Sequence, residues 1–522
     1  MAGGPALDPD GLLRRLPQRI SEPVHRWACE APGHLALMGD GCSWTYADFE
    51  RVVADAAALL RDAGVRGGDR VLLVSENCPG LGALIMACSE LDAWAVILNA
   101  RLSPREVDAI REHCGARSSV YTVSVSPDAA RHARDENARF LEHERLGPVA
   151  VGPVREVRPE PVEASGAKQV AAMIYTSGTT GEPKGVMLSH RNLLFVAAVS
   201  GARRGLDADD LVYAVLPLSH SFGLAATFLG TVWAGGCAEL VPRFGIRHLL
   251  RALSEGGVTV FQGVPAMYAR ILEYARHHPG EVRAPSLRYI SSGGAPLGAG
   301  MKSEVESLLG VPLHNGYGLT ETSPTVSQTD IDDPPRETHV GRVLDGVEIR
   351  IADPRGRPLP DGEVGELWIR GPNVMKGYYR APEATAAVLT DDGWFNSQDL
   401  ARIEPGGELS IVGRSKELII RSGFNVYPPE VEAVLNSHPG ITQSAVVGRP
   451  AGDNEEVVAY VQPDPRSKLD LEALRAWLRE RLSPYKLPAE IIVLQEMPAA
   501  ATGKILKHRL KQQAQSEAGG RG

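Results

Sequence analysis

The segment from Tyr175 to Gly185 carries residue types suited to holding phosphate. It reads Tyr-Thr-Ser-Gly-Thr-Thr-Gly-Glu-Pro-Lys-Gly, with three glycines, four Ser/Thr hydroxyls and one lysine. Glycine lets backbone amides turn toward an anion, and the lysine adds a positive charge. Glu182 and Pro183 separate Gly181 from Lys184, so this is not a Walker A loop, where lysine directly follows the second glycine. We predict a phosphate loop after a strand, and a solvated surface loop is the less favoured alternative.

Six further motifs follow along the chain. Together with the first segment they resemble, in the same order, the adenylate-forming superfamily of acyl-CoA synthetases, peptide-synthetase adenylation domains and luciferases. The resemblance spans about residues 40 to 510 and is strongest to fatty-acyl and 4-coumarate ligases over residues 413–432. The motifs are Leu-Pro-Leu-Ser-His-Ser-Phe-Gly (216–223), Ser-Gly-Gly-Ala-Pro (292–296), Asn-Gly-Tyr-Gly-Leu-Thr-Glu-Thr (315–322), Gly-Glu-Leu (365–367) with Asp399, Gly-Arg-Ser-Lys-Glu (413–417) and Thr-Gly-Lys (502–504).

The resemblance implies a role for each matching position. It implies catalytic roles for Lys504, Glu321 and His220, with Glu321 also holding Mg²⁺. For His220, a histidine satisfied by hydrogen bonds in the core is the alternative. The positions implied to bind ATP or coenzyme A are Thr176, Ser177, Gly178, Thr179, Thr180, Gly181, Lys184, Gly294, Ala295, Pro296, Gly316, Tyr317, Gly318, Thr320, Asp399, Arg414 and Gly423.

The implied reaction explains why these residue types are needed. A carboxylate is a poor electrophile, and joining it to AMP creates a mixed anhydride with a good leaving group. Because two anions must meet, positioning and positive charge do most of the work, and Lys504 is the leading cation. Glu321 beside a triphosphate is tolerable only through a hard cation. Tyr317 is expected to stack on adenine, and Asp399 to accept hydrogen bonds from the ribose with Arg414 nearby.

Two positions depart from the family pattern. Gln398 stands where the family usually has glycine, before Asp399, and Ala499 stands where a basic residue is common. The first departure bears on nucleotide affinity, and the second bears on how the segment around Lys504 is anchored.

The substrate and the acyl acceptor follow from the same resemblance. Residues 219–222 contain no acid to pair with an α-ammonium group, so the predicted substrate is a fatty or aryl acid. No Gly-Gly-x-Ser carrier motif follows Lys504, and Gly423 matches the glycine beside which pantetheine passes. The prediction is an acid–CoA ligase that uses ATP, Mg²⁺ and coenzyme A. The alternatives are a free-standing ligase that loads an acyl carrier protein and a non-catalytic acyl-adenylate binding protein.

Composition limits the class of protein. The net charge of -9 and pI near 5.9 argue against a nucleic-acid partner. The six cysteines show no Cys-x-x-Cys pairing, which favours reduced thiols and a cytoplasmic location. No signal peptide is predicted, because residues 1–20 contain no apolar core. No transmembrane segment is predicted either, because Glu90 and Asp92 interrupt the most apolar run, residues 83–100. The expected partners are a small carboxylic acid, ATP and coenzyme A, with a homodimer as the expected assembly.

The chain is too long for one core, so at least two domains are expected. We predict an α/β fold: a large domain, residues 1–415, with mostly parallel sheets flanked by helices, and a small mobile α+β domain, residues 416–522, that rotates about Lys416. Residues 128–168 are predicted to cross the surface and residues 512–522 to form a disordered tail. Predicted helices are 46–63 (capped by Thr45), 83–91, 103–114 (Ser103 and Glu106 as a capping box), 428–435 and 471–482; predicted strands are 70–75, 93–98, 120–123, 258–264, 287–291, 400–403, 409–412, 441–447, 456–461 and 491–494.

Overall fold

A computed structural model describes residues 8–177, 183–334, 338–353, 355–421, 424–451, 454–464, 469–499 and 505–519. The α-helices are α1 Pro9–Arg15, α2 Glu22–Glu30, α3 Tyr46–Asp62, α4 Pro79–Glu90, α5 Pro104–Cys114, α6 Pro127–Asp135, α7 His190–Arg203, α8 Gly230–Ala234, α9 Ile246–Ser254, α10 Pro265–His277, α11 Ala299–Leu309, α12 Pro382–Ala386, α13 Pro428–Asn436, α14 Leu471–Arg479 and α15 Lys507–Gly519. A π-helix spans Phe222–Leu229, and short 3₁₀ helices span Thr320–Thr322, Ser415–Glu417 and Pro484–Lys486.

The strands alternate with these helices through most of the chain. They are β1 Leu35–Gly39, β2 Cys42–Thr45, β3 Arg70–Ser75, β4 Trp94–Asn99, β5 Ala116–Thr122, β6 Arg139–His143, β7 Gly147–Val151, β8 Val170–Ser177, β9 Pro183–Ser189, β10 Leu211–Ala214, β11 Cys237–Leu240, β12 Val260–Gly263, β13 Tyr289–Ser292, β14 Leu313–Gly318, β15 Thr325–Gln328, β16 Arg342–Val343, β17 Glu348–Ala352, β18 Gly365–Arg370, β19 Gly377–Tyr378, β20 Phe395–Ile403, β21 Leu409–Arg414, β22 Ile419–Arg421, β23 Phe424–Val426, β24 Ile441–Ala451, β25 Asn454–Pro463 and β26 Glu490–Val493.

Two large sheets with parallel centres form the N-terminal part of the described chain. One has the strand order β16-β15-β14-β13-β12-β10-β11-β1-β2, and the other has the order β19-β9-β8-β4-β3-β5-β7-β6. Side chains from both sheets join those of α3, α4 and α7 in one large apolar core. Helix α4 is apolar around its circumference and buried along nearly all its length, which is the pattern of a helix enclosed by other elements.

The C-terminal part has a different architecture. An antiparallel sheet of order β17-β18-β20-β21 ends at Arg414, and the short Ser415–Glu417 helix follows. Beyond it, β24, β25 and β26 form a sheet with α13 and α14 on one apolar core and α15 on another. This confirms the predicted α/β fold with a smaller C-terminal domain. The exact boundary at residue 415 and the mobility of the small domain stay predictions.

Local signals in the sequence positioned several elements well. Thr45 accepts a hydrogen bond from the Asp48 amide at the start of α3, and Asp48 accepts one in return. Ser103 and Glu106 form the same reciprocal arrangement at the start of α5. These capping boxes satisfy amides that the first helical turn leaves without a partner, so they fix where each helix begins.

Three predictions were wrong. Residues 128–168 do not simply cross the surface, because Ser126 caps α6 and the β6–β7 hairpin extends a large sheet with Ala150 buried. Residues 512–519 are not a disordered tail but part of α15, whose Leu510 carbonyl accepts the Tyr460 hydroxyl 3.0 Å away. The predicted helix 83–91 begins earlier, at Pro79, because the Cys78 thiol accepts from the Leu81 amide and proline suits the first helical position.

The six cysteines, which all fall within the described ranges, are free thiols, and four of them are buried. Across the part of the chain that the structure describes, no helix has the length and apolar character that spanning a membrane requires.

Candidate active site

The end of β14 is the platform on which the candidate site is built. Gly316, Tyr317 and Gly318 close this strand, and the 3₁₀ turn Thr320–Thr322 follows. A Cβ at Gly318 would lie 1.7 Å from the Pro324 carbonyl oxygen, so only glycine fits there. The close backbone approach lets the chain turn sharply between Tyr317, at the end of β14, and Glu321, in the turn that follows. The predicted motif 315–322 is thus a strand end followed by a tight turn.

Three of the residues predicted to bind the nucleotide contact one another beside the end of β14. The Tyr317 hydroxyl donates to Oδ2 of Asp399, and Nε of Arg414 lies 3.0 Å from Oδ1 of the same carboxylate. Asp399 and Arg414 are direct partners across β20 and β21, so the backbone register itself brings them together. Burial first, and then the neighbouring carboxylate, raise the pKa of Tyr317 well above its ordinary value. The phenol therefore remains a donor near neutral pH.

The carboxylate of Asp399 is positioned by an unusual backbone. Its amide donates to the Ser397 hydroxyl at 3.1 Å, and the residue is only 4% exposed. The preceding residue, Gln398, has φ of 59°, in the left-handed region that favours glycine. The departure noted in the sequence therefore falls at a position where this fold demands a positive φ.

A second group of residues, on β9, β19 and the turn after β14, carries charges suited to binding phosphate. Strands β8 and β9 form an antiparallel pair in which Thr176 faces Lys184. Nζ of Lys184 lies 5.0 Å from the centre of the Tyr378 ring, and the Tyr378 hydroxyl donates to Oε1 of Glu321 at 2.8 Å. Lys184 of the predicted phosphate loop and Glu321, the predicted metal-binding carboxylate, thus both contact the Tyr378 side chain. A cation over an aromatic face is a stabilising contact.

Sequence reasoning missed Tyr378. It lies in a Gly-Tyr-Tyr run that no motif selects, and only its antiparallel pairing with Val186 of β9 brings it beside Lys184. Burial first, and then Glu321, raise its pKa above the ordinary value, so its hydroxyl also remains a donor.

The third part of the site, called the apolar wall below, consists of the Phe222 ring packed on Gly293. His220 precedes the π-helix, and its Nδ1 accepts from the Phe222 amide at 3.3 Å. The Phe222 ring packs so closely on Gly293 that a Cβ there would lie 2.9 Å from Cε1. The Ser221 hydroxyl donates to the Thr320 hydroxyl at 3.4 Å, which joins this wall to the turn of Glu321. The segment Gly294–Pro296 is exposed at the end of β13.

Gly178, Thr179, Thr180, Gly181, Gly423 and Lys504 lie outside the described residues, as does the side chain of Ser177. On either side of the segment that contains Lys504, Ala499 and Ile505 pair as an antiparallel bridge. The departure at Ala499 therefore lies at the base of that segment, where backbone pairing provides an anchor.

Just past this segment, Lys507 connects α15 to the predicted hinge. Its Nζ lies 2.7 Å from Oε1 of Glu432 on α13 and 3.1 Å from Oε2 of Glu417. Oε1 of Glu432 also accepts the Val446 amide at 2.7 Å. The residue next to Lys416 is therefore tied to the body of the small domain.

Comparison with known proteins agrees with this arrangement. The AMP-binding enzyme family model matches residues 24–379, and the AMP-binding enzyme C-terminal domain model matches residues 430–504. A feruloyl-CoA synthase from an Amycolatopsis species is 37% identical over 500 residues, covering 94% of this chain and 98% of that relative. The 4-coumarate–CoA ligase 2 of Oryza sativa subsp. japonica is 31% identical, covering 94% of this chain and 92% of the relative.

Solved structures show the same likeness. ATP-bound MatB from Rhodopseudomonas palustris has a TM-score of 0.84 and 30% identity, covering 95% of this chain and 99% of that chain. The o-succinylbenzoate CoA synthetase of Bacillus subtilis, in complex with its acyl-adenylate intermediate, has a TM-score of 0.79 and 29% identity, covering 94% and 97%.

These findings confirm the predicted superfamily and the predicted activity of an AMP-forming acid–CoA ligase, with ATP, coenzyme A and a small carboxylic acid as its substrates. The roles of individual residues stay predictions. On the match of both family models, over most of its length, the chain belongs to the AMP-binding enzyme family.

Proposed function

We propose that this ligase activates an aryl propenoic acid of the ferulate and 4-coumarate type. The observation that carries ATP-dependent activation of an acid is the convergence of three groups of residues near the end of β14. There a ribose-side cluster of Tyr317, Asp399 and Arg414 and a phosphate-side cluster of Lys184, Tyr378 and Glu321 flank an apolar wall. A nucleotide and an apolar acid can therefore be held on one strand end.

The first step is adenylation. An oxygen of the acid attacks the α-phosphorus of ATP, and the bond to pyrophosphate breaks. Asp399 would accept hydrogen bonds from the ribose hydroxyls, replacing part of its present bonding to Tyr317 and Arg414. Lys184 would bind the leaving phosphates, and Lys504 would neutralise charge that develops as two anions meet.

The residues around Glu321 fit a magnesium ion that is bound mainly by phosphate. Within the described ranges, no group of three His, Cys, Asp or Glu side chains lies close enough to hold a metal. Mg²⁺ commonly takes one or two carboxylates together with substrate phosphates and waters. Glu321 can supply such a carboxylate, because the bond from Tyr378 holds its Oε1 in place and the residue is partly exposed. The ion would supply neutralisation of phosphate charge.

The second step transfers the acyl group. The sulfur of coenzyme A attacks the acyl carbonyl carbon, the bond to AMP breaks, and the thiol proton is lost. We propose that the small domain, residues 416–522, rotates about Lys416 between the steps. In the second orientation pantetheine would pass the backbone of Gly423.

The choice of an aryl acid rests on the apolar wall and on the relatives. The Phe222 ring against Gly293 offers a flat apolar surface, and aromatic rings prefer offset or edge contacts with other rings. Residues 219–222 carry no acid that would pair with an α-ammonium group. Feruloyl-CoA synthase and 4-coumarate–CoA ligase are similar to this chain over nearly its whole length.

An acid panel tests the proposal. The purified protein would be assayed for AMP formation with ATP, MgCl₂ and coenzyme A and one acid at a time: ferulate, 4-coumarate, benzoate, hexanoate, palmitate or phenylalanine. We expect the highest kcat/KM for ferulate or 4-coumarate. A fatty acid as the best substrate would refute the aryl assignment. Acyl-AMP that accumulates with coenzyme A, but is consumed when a phosphopantetheinylated carrier protein is added, would refute coenzyme A as the acceptor.

A further inference from the structure

A buried arginine lies behind the apolar wall. Arg204, directly after α7, is 1% exposed. Its Nη2 donates to the Ala226 carbonyl at 2.6 Å, its Nη1 to Oε1 of Gln262 at 2.7 Å, and its Nε to the Ser200 carbonyl at 2.9 Å. One guanidinium therefore bonds to three separate pieces of structure, namely the π-helix, β12 and α7.

Two of these pieces lead to residues that lie against Gly293 and Gly294, the segment after β13 where we place the acid pocket. Ala226 lies within the π-helix that begins at Phe222, and Gln262 is followed in the chain by Gly263 and Val264. Cγ1 of Val264 lies 3.8 Å from where a Cβ of Gly294 would be, so this strand end faces the exposed segment after β13. A shift of the π-helix would move Phe222 relative to Gly293, and a shift of β12 would move Val264 relative to Gly294.

Burial of the Arg204 guanidinium costs free energy of folding, which a purely structural role does not explain. The three acceptors are neutral, and burial lowers the pKa of its guanidinium to about 10, although Tyr289 and Asp210 oppose this. A buried charge bonded to neutral groups costs free energy that an apolar side chain of similar volume would not. An apolar side chain cannot supply the rigid, planar set of hydrogen-bond donors that the guanidinium provides.

The neighbouring sequence leaves room for this guanidinium. A Cβ at Gly230, where the π-helix passes into α8, would lie 2.9 Å from Nη2 of Arg204. Gly230 has φ of -61°, a conformation that alanine adopts without strain. Glycine at position 230 therefore leaves space for the Arg204 guanidinium and is not required by the backbone conformation. A π-helix is a rare conformation that occurs often at functional sites, and here its register decides where Phe222 points.

We propose that Arg204 is a positioning residue that fixes the π-helix against β12 and thereby determines which acids the pocket accepts. This inference rests on the proposed function for the location of the pocket. Arg204 acts through the backbone of Ala226 and through Gln262, and not by touching the substrate. Its loss should therefore change the apparent affinity for the acid and the ranking of acids, while the nucleotide side is spared.

The test compares Arg204→Met and Arg204→Lys with Gly230→Ala, which crowds the guanidinium without removing it. The matched control is Arg203→Met, because the adjacent Arg203 donates to the carbonyls of Arg342, Val343 and Gln328 and not to the π-helix or β12 acceptors of Arg204. For each protein, KM for ferulate, ATP and coenzyme A, the kcat/KM ratio of ferulate to benzoate, and the thermal midpoint would be measured.

We expect Arg204→Met to raise the KM for ferulate about tenfold and to lower the ferulate-to-benzoate ratio, with both other KM values within about twofold. Arg204→Lys should recover part of the effect, and Gly230→Ala should reproduce part of it. Arg203→Met should change the thermal midpoint only. A lower midpoint for Arg204→Met with unchanged ferulate KM and unchanged ratio would overturn the proposal, as would equal rises in all three KM values.

Hydrogen–deuterium exchange of the substrate-free proteins provides a second measurement. Arg204→Met should speed exchange in residues 222–229 and 260–264, and Arg203→Met should not. If the wild-type protein used neither aryl acid, the proposed function would fail while this measurement still decided the positioning role. Unchanged exchange in both segments would overturn that role by itself.

Discussion

Replacing Gln398 by glycine should stabilise the protein, although it removes a side chain. Gln398 is held at φ of 59° immediately before Asp399. A non-glycine residue pays about 1–2 kcal/mol in this left-handed region. Glycine avoids that strain but loses about 0.5–1 kcal/mol more conformational entropy on folding. The difference is a net stabilisation of about 0–1.5 kcal/mol, with a midpoint of about 0.75 kcal/mol. The bond of the Gln398 amide to Oδ1 of Asn396 is retained.

Unfolding of Gln398→Gly and Gln398→Ala measures this difference. The alanine variant retains the Cβ that causes the strain, so it should match the wild type within about 0.5 kcal/mol. A gain of 1 kcal/mol raises Tm by about 2–4 °C in a domain of 150–250 residues and by less in a larger one. We therefore expect about 1–2 °C, together with a higher urea midpoint.

The KM for ATP should stay within about twofold in both variants, because the strand already holds the backbone that Asp399 needs. If Gln398→Gly were no more stable than Gln398→Ala, the strain argument would be wrong. A stabilised protein with a much poorer KM for ATP would show instead that the Gln398 side chain contributes to nucleotide binding.

Four further predictions test the site. Glu321→Gln should slow adenylation about 10²–10³-fold, because one positioned charge is worth about 3–4 kcal/mol, while the amide oxygen still accepts from Tyr378. Pyrophosphate exchange with the wild-type dependence on Mg²⁺ concentration would contradict it. Tyr317→Phe should lower the free energy of unfolding by about 1–3 kcal/mol, since a nearly buried carboxylate loses a donor, and raise the KM for ATP only about threefold. A urea titration that matches the wild type would count against that bond. Lys504→Ala should cut adenylation on the order of a hundredfold or more and spare thioester formation from synthetic acyl-AMP. Lys416→Pro should do the reverse, because proline fixes φ, and equal loss of both steps with an intact fold would argue against the hinge.

The sequence predicted elements best where a local rule decides their position. The capping boxes at Thr45 and Ser103 and the buried strand Arg70–Ser75 have signals that lie within a few residues. The β6–β7 hairpin was missed because an edge strand needs few apolar residues, and its place in the sheet depends on pairing with β5, distant in sequence. Helix α15 was missed because its burial depends on the surface that β24 and β25 present.

The same division holds for the site. Motifs identified Tyr317, Asp399 and Arg414, which the structure brings together, since each carries a residue type and spacing typical of the family. Tyr378 and Arg204 were not identified, because neither belongs to a motif and their contacts to Glu321 and Gln262 join residues more than fifty positions apart. Such contacts depend on tertiary packing, which residue types and spacing do not reveal.

The ion pairs of Lys507 have a consequence for how rotation of the small domain and nucleotide binding depend on each other. Since Lys507 ties Glu417 to α13, Glu417 would travel with the small domain. The Ser415 hydroxyl donates to Glu366 of β18, so the backbone torsions that change would lie between Ser415 and Glu417, around Lys416. On the other side of this pivot, directly before Ser415, lies Arg414, whose guanidinium pairs with Asp399. A nucleotide that alters this pair would thereby alter the torsional equilibrium of the pivot. By thermodynamic reciprocity, each orientation of the small domain would then bind AMP with its own affinity. One coupling free energy would therefore link the binding of AMP to the equilibrium between the two orientations.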